Sequence, residues 1–98
     1  MTPEQKQLNL LGLALRSGNL VTGDEMVEKG IKRGKVSYVL VANDASEATK
    51  KRYEGFSERY PITVNFTFSR VQLSDAIGKS RSVIALSNQG MIKRFKSY

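Results

Sequence analysis

Apolar residues recur along this chain with two alternating periods. In "TPEQKQLNLLGLALRSG" the residues Leu8, Leu11 and Leu15, with Leu10 and Ala14 beside them, repeat at helical spacing and predict a first helix. Its start is marked by Thr2 as N-cap, Pro3 at the first helical position and Gln5 three residues after the cap, the pattern of a capping box. Gly18 supplies the stop. Gly12 interrupts the helix, which predicts close packing against another backbone. "NLV" is a short strand or extended linker. Thr22 and Glu25 repeat the capping-box spacing, so a second helix is expected with Gly23 at its first helical position and Gly34 as terminator.

The period then changes. "VSYVLVAND" is a dense β-branched run, and Tyr38 to Ala42 predict a strand buried on both faces. "DASEATKKRYEGFSERY" predicts a third helix, capped by Asp44 or Ser46 and ended before Pro61. "PITVNFTF" alternates as a strand with Val64, Phe66 and Phe68 on one face. "SRVQLSDAIG" predicts a fourth helix started by Ser69, with Val71, Ala76 and Ile77 inward and Leu73 near them. "SVIALSN" is a second buried strand, and "QGMIKRFKSY" a final basic helix. Helix and strand thus alternate strictly from end to end. That order argues for an α/β protein, a three-layer α/β/α sandwich around a small sheet. Crossovers favour parallel pairs, with an antiparallel pairing open to the first short strand. There is no repeat, low-complexity stretch or linker, and 98 residues make one domain, residues 1–98.

Charge narrows the function. Sixteen Lys and Arg against nine Asp and Glu give a net charge of +7, which favours a polyanionic partner, nucleic acid first. Cysteine and histidine are both absent. That excludes disulfides, a cysteine nucleophile, a His general base and a Cys/His zinc site, so no metal, cofactor or catalytic set is expected. The apolar run "LNLLGLAL" is too short to span a bilayer, and "MTPEQKQ" lacks the marks of a signal peptide. The expectation is a cytoplasmic protein with no membrane partner.

Three candidate sites compete. "GKSRS", residues 78–82, resembles the end of a phosphate-binding P-loop, but Leu73 stands where that motif needs glycine, and a strand rather than a helix follows. Asp24, Glu25 and Glu28 lie close together, yet they occupy the first turns of a helix, where the helix dipole favours acids. The constellation that survives is electrostatic. Lys29, Lys32, Arg33 and Lys35 fall in or just beyond the second helix, and Lys79 and Arg81 in a glycine-containing loop before the last strand. At one end of a sheet the two places would form a basic saddle; the alternative for any single lysine is a solvated surface. Gly23 fits the saddle, because a helix start exposes N–H groups that donate to phosphate or base edges, and a residue without a side chain lets another backbone come near. Gly30 is better assigned to helix packing.

The stretches "LALRSGNLVTG", "VLVANDAS" and "IGK" before the last strand together resemble the ribosomal protein L-seven-Ae/L-thirty-e superfamily, in its bacterial YlxQ-type ribosomal-protein-like branch. The likeness covers nearly the whole chain. It implies a mixed four-stranded sheet and non-enzymatic recognition of kink-turn RNA, ribosomal RNA or a related structured RNA, with the ribosome as a further partner. In the superfamily the start of the second helix carries a Gly-x-Asn-Glu-x-x-Lys motif that meets tandem sheared G·A pairs. The matching stretch here is "GDEMVEK": Gly23 and Lys29 carry over directly, Asp24 falls at the motif's open position, Glu25 stands at the Asn position and Met26 at the Glu position. These departures bear on base recognition, not on the fold. The second implied contact is the loop of Lys79, Ser80 and Arg81. It is polar and basic here where the superfamily often has apolar residues, so phosphate attraction should outweigh stacking. With Lys32 and Arg33 added from the charge pattern, the expected RNA-contacting set is Gly23, Asp24, Glu25, Met26, Lys29, Lys32, Arg33, Lys79, Ser80 and Arg81. A general RNA- or ribosome-associated scaffold without kink-turn specificity is the alternative.

Overall fold

In the computed structural model, which describes residues 1–98, the N-terminal capping box forms as the sequence predicts. Thr2 Oγ1 accepts the Gln5 N–H at 3.1 Å, and Gln5 Oε1 accepts the Thr2 N–H at 3.3 Å. Nine elements follow: α1 (Pro3–Arg16), β1 (Leu20–Thr22), α2 (Asp24–Lys32), β2 (Tyr38–Val41), α3 (Glu47–Arg59), β3 (Thr63–Asn65), α4 (Arg70–Ile77), β4 (Val83–Leu86) and α5 (Gln89–Ser97). The expected alternation of helix and strand holds throughout.

The strands form one mixed sheet in the order β1-β4-β2-β3. Only β2 and β3 are parallel; β4 runs antiparallel to both β1 and β2. Antiparallel pairing therefore reaches beyond the first strand, because the α4–β4 loop returns the chain to the end of the sheet where β2 finished.

Strand alternation divides the interior in two. Tyr38, Leu40, Ile84 and Leu86 point to a cluster closed by Leu10, Leu11 and Ala14 of α1, Leu73 and Ile77 of α4, and Ile92 and Phe95 of α5. Val39, Val41, Val83 and Ala85 point the other way, onto Val27 and Ile31 of α2 and Tyr53 and Phe56 of α3. Every residue of β2 and β4 is buried, as expected for strands covered on both faces. The result is a sandwich with α1, α4 and α5 on one face of the sheet and α2 and α3 on the other. Gly12 is where α1 meets α4: a Cβ there would stand 2.8 Å from the Ala76 carbonyl oxygen, the close backbone approach that its mid-helix position predicted.

Three expectations, for β3, α4 and the residues before α3, differ from the structure. Strand β3 ends at Asn65, whose Oδ1 accepts the Thr67 N–H at 2.8 Å and turns the chain. Val64 and Phe66 consequently pack on the α2/α3 side, while Phe68 enters the α1/α4/α5 side. Val71 is 66% exposed rather than inward, because it lies about 200° around α4 from buried Leu73. Asp44 also has a different task from the one its position suggested. Ser46 caps α3, and Asp44 Oδ1 accepts the Arg70 N–H at the start of α4, at 2.9 Å.

Candidate nucleic-acid interface

Strand register gathers four chain connections at one end of the sheet. Thr22 pairs with Ile84 and Val41 with Val83, so the end of β1, the end of β2 and the start of β4 coincide. Parallel β3 finishes there too. Gly23 is tied into this end by its N–H, which donates to the Val83 carbonyl at 2.9 Å. The Arg81 side chain lies across it, with Nε 3.7 Å from where a Gly23 Cβ would be. The structure thus joins Gly23 and Arg81, residues 58 positions apart in sequence.

Gly23 differs from its expected role in one respect. It is the N-cap of α2, not the first helical residue, and Thr22 forms no capping box with Glu25 because it remains in β1. The glycine is required by its backbone, φ 92° and ψ 145°, a region closed to residues bearing a Cβ. The consequence is specific to α2. Side-chain oxygens of Thr2, Ser46, Ser69 and Asn88 cap the other four helices, but α2 has no side-chain cap. Its first helical hydrogen bond runs from the Val27 N–H to the Gly23 carbonyl at 3.0 Å. The N–H groups of Asp24, Glu25 and Met26 therefore open toward whatever meets this end of the sheet.

The α4–β4 loop is braced from two sides. Ser74 Oγ accepts the Arg81 N–H at 3.1 Å, and Arg81 Nη1 donates to the Ser80 carbonyl at 2.7 Å. Arg70, which sequence reasoning missed, donates from Nη2 to Ser80 Oγ at 2.7 Å and from Nη1 to Ser82 Oγ. No local motif marks this brace; it depends on α4 lying beside the loop. Lys79 and Ser80 are exposed, and Arg81 is half-buried. Gly78 caps α4 in the left-handed conformation and leads into a strand, which is incompatible with a P-loop.

On α2 the acids are engaged. Asp24 receives both terminal nitrogens of Arg52, Nη1 to Oδ1 at 2.8 Å, and the Tyr53 hydroxyl at 2.6 Å. Arg52 Nη1 also donates to Glu28 Oε1 at 3.0 Å. The Arg52 guanidinium, aided by Tyr53, holds the Asp24 carboxyl below the ordinary carboxylate range. Lys32 and then Arg52 lower Glu28 in the same sense. Burial, reinforced by the Asp24 charge, pushes the Tyr53 phenol above its ordinary range. These acids serve a structural network joining α2 to α3, beyond the dipole role that the first turn suggested. No group of acids is placed to hold a metal ion.

The other predicted residues separate. Lys29 faces Glu25 at 3.6 Å, both exposed, and Lys32 pairs with Glu28 at 2.9 Å. Met26 is an exposed apolar side chain one turn into α2. Arg33 is the C-cap of this nine-residue helix, which carries Lys32, Arg33 and Lys35 about 13 Å from Gly23, toward the other end of the sheet. The single saddle expected from all these cations is therefore not formed. Gly30 serves packing, as assigned, with Val36 methyls 3.2 and 3.3 Å from its Cβ position.

Comparison with known proteins agrees with this architecture. The model of the ribosomal protein L7Ae/L30e/S12e/Gadd45 family matches residues 5–94. The RNA-binding protein YlxQ of Enterococcus faecium is 41% identical over 92 residues, spanning 94% of this chain and 89% of that protein. The RNA-binding protein YlxQ of Bacillus subtilis (strain 168) is 35% identical over 89 residues, 90% of this chain and 89% of that protein. Among solved structures, a Bacillus halodurans C protein described as of unknown function superposes with a TM-score of 0.88 at 38% identity, covering 94% of each chain. The Giardia lamblia 15.5kD RNA binding protein superposes at 0.79 with 18% identity, covering 99% of this chain and 84% of that one, a likeness of fold alone.

Proposed function

This chain belongs to the ribosomal protein L7Ae/L30e/S12e/Gadd45 family, and from that premise we propose that it is a non-enzymatic RNA-binding protein that recognises kink-turn RNA, ribosomal or related, and stabilises its bent form. The observation that carries the reading is the uncapped start of α2 with Arg81 across Gly23. Three open N–H donors and a guanidinium there suit an anionic backbone and the acceptor edges of bases. The names of the two YlxQ relatives support RNA as the ligand.

A kink turn brings phosphates together, so free RNA is divided between bent and extended forms. A protein that contacts only the bent form shifts that equilibrium by its differential affinity. Arg81 and Lys79 lessen the repulsion between the phosphates, and the helix start reads an opened groove. Lys29 must leave Glu25 to reach RNA; both side chains are exposed, so that exchange costs little. No bond is made or broken, and the ribosome is the further partner that this reading implies.

The test is a titration against a kink-turn RNA and the same RNA with its G·A pairs replaced. A preference of about tenfold or more, ~1.4 kcal/mol, is expected for the intact motif. Lys29→Ala should weaken the preferred complex by about 1–3 kcal/mol. With roughly three to five phosphates neutralised, log affinity should fall against log salt with a slope of about −2 to −4. Equal affinity for both RNAs would replace this reading with the general scaffold, for which Glu25 and Met26 are the sequence argument. Cleavage of the RNA in magnesium would sink both.

A further inference from the structure

The net charge of the chain is divided unequally between the two faces of the sheet. Helices α2 and α3 carry six basic residues (Lys29, Lys32, Lys50, Lys51, Arg52, Arg59) against six acids (Asp24, Glu25, Glu28, Glu47, Glu54, Glu58). Helices α1, α4 and α5 carry six basic residues (Lys6, Arg16, Arg70, Lys93, Arg94, Lys96) against only Glu4 and Asp75. All five ion pairs lie within or between α2 and α3. No cation of α1, α4 or α5 has a carboxylate partner.

On this unneutralised face a recess of about 220 Å³ opens between α1 and α5. Its walls are Met1, Leu10, Leu13 and Tyr98, and its polar rim is Lys6, Asn9 and Arg94. Two of the four exposed large apolar side chains of the chain, Met1 and Leu13, are here. Arg94 Nε donates to Tyr98 Oη at 2.8 Å, and Gln7 Nε2 to the Phe95 carbonyl at 3.1 Å, so both the phenol and the helix pair are fixed. Ile92 and Phe95 face the core, leaving Lys93 and Lys96 on the outer side of α5.

We propose that the α1/α5 face is a second RNA-binding site that takes a single-stranded segment, its phosphates along Lys6, Arg94 and the outer lysines and one unstacked base in the recess beside Tyr98. A cationic track beside an aromatic ring is the chemistry that single strands require. The recess is smaller than the ~300 Å³ at which small-molecule sites begin, and its apolar walls suit one base face. A duplex keeps its bases paired and stacked, and so has nothing to insert. A nucleic-acid backbone also supplies the negative charge of which this face holds little, one phosphate per nucleotide. The inference stands apart from kink-turn recognition, since it uses none of the residues around Gly23.

The experiment is a fluorescence-anisotropy titration of the full chain with a short unstructured oligouridine RNA at low salt. Lys6→Glu with Arg94→Glu is compared with Lys51→Glu and Arg59→Glu on exposed α3, a change of equal net charge on the opposite face. The first pair should lose about tenfold in affinity and the second less than about threefold. Tyr98→Ala should lose affinity while Tyr98→Phe retains it, and a thermal melt of each variant separates lost contacts from lost fold. Equal losses from the two charge reversals would overturn the proposal, showing binding by net charge alone. It is overturned as well if neither reversal changes binding, which would leave the recess to a partner such as an acidic peptide. Arg81→Ala should spare oligouridine binding; a loss matching that of the combined Lys6→Glu and Arg94→Glu reversal would mean one site, not two.

Discussion

The two helix layers contain equal numbers of basic residues and use them in opposite ways. In the α2/α3 layer four of the six acids, Asp24, Glu25, Glu28 and Glu47, are paired with cations, and the Asp24–Arg52–Glu28 network ties one helix to the other. In the α1/α4/α5 layer the helices are joined by apolar contact and a backbone approach at Gly12, and no cation has a carboxylate partner; Arg70 and Arg94 donate only to neutral oxygens. Charge used for internal cohesion is neutralised by its partner and projects little field. Charge with no carboxylate partner keeps its field, which projects toward a polyanion even where, as at Arg70, the side chain also braces a loop. The net charge of +7 thus comes from one helix face and from two loops, the one carrying Arg33 and Lys35 and the one carrying Lys79 and Arg81, rather than from the whole surface.

The sharpest way to test this division is a matched pair of glycines, one in each layer. Gly12 on α1 has the Ala76 carbonyl oxygen 2.8 Å from its Cβ position, whereas Gly55 on α3 has nothing within 4 Å. Alanine adds up to ~1 kcal/mol of helix propensity at either site. At Gly12 that gain is outweighed by about 1–3 kcal/mol of overpacking against a backbone atom. Gly12→Ala should therefore lower the melting temperature and Gly55→Ala raise it by a few degrees. If both raise it, α1 and α4 are not held by close backbone contact.

A matched pair of arginines comes next. Arg52→Ala removes three guanidinium hydrogen bonds to two carboxylates and should cost about 1–2 kcal/mol in a denaturant titration, reduced by the partial exposure of the pair. Arg16→Ala, at the unpaired end of α1, should stay within about 0.5 kcal/mol of the parent. Equal costs would mean that ion pairing does not distinguish the layers.

Much of this was legible in the chain, and the failures have a common cause. Helix caps at Thr2 and Ser69, and at Asp44 or Ser46 for α3, follow from local spacing and are determined by local physics. The buried strands and the close approach at Gly12 are legible from residue type alone, although Gly12 meets Ala76, 64 residues away. The α2 cap failed because Thr22 was already committed to pairing with Ile84, a partner 62 residues away. Val71 failed because inward and outward on a short helix depend on which neighbour it meets. Within the candidate site, Gly23, Lys79 and Arg81 could be singled out from charge and conformation. Arg70 could not, since its reach to Ser80 and Ser82 exists only once α4 has docked. The separation of Lys32, Arg33 and Lys35 from Gly23 follows from helix length, which the pattern showed, combined with sheet direction, which it did not.

The smallest expected effect lies in pH. Asp24 and Glu28 both titrate below their ordinary range in the folded protein, held there mainly by Arg52 for the first and Lys32 for the second. A carboxyl whose folded pKa is depressed contributes stability in full above the unfolded value, near 4, and loses it as pH falls through the folded value. Melting temperature should then be flat from neutral pH down to about pH 4 and decline below it. Tyr53 acts at the other limb: its phenol ionises later in the folded chain than in the unfolded one, so stability declines again above about pH 10. The decisive comparison is between parent and Arg52→Ala. Their difference should be largest near neutrality and shrink in acid, because protonating Asp24 removes in the parent what the substitution has already removed. A difference that stays constant into acid would show that Arg52 stabilises by packing on Tyr53, whose ring centre lies 5.3 Å from its guanidinium carbon, and not by pairing with the carboxylates.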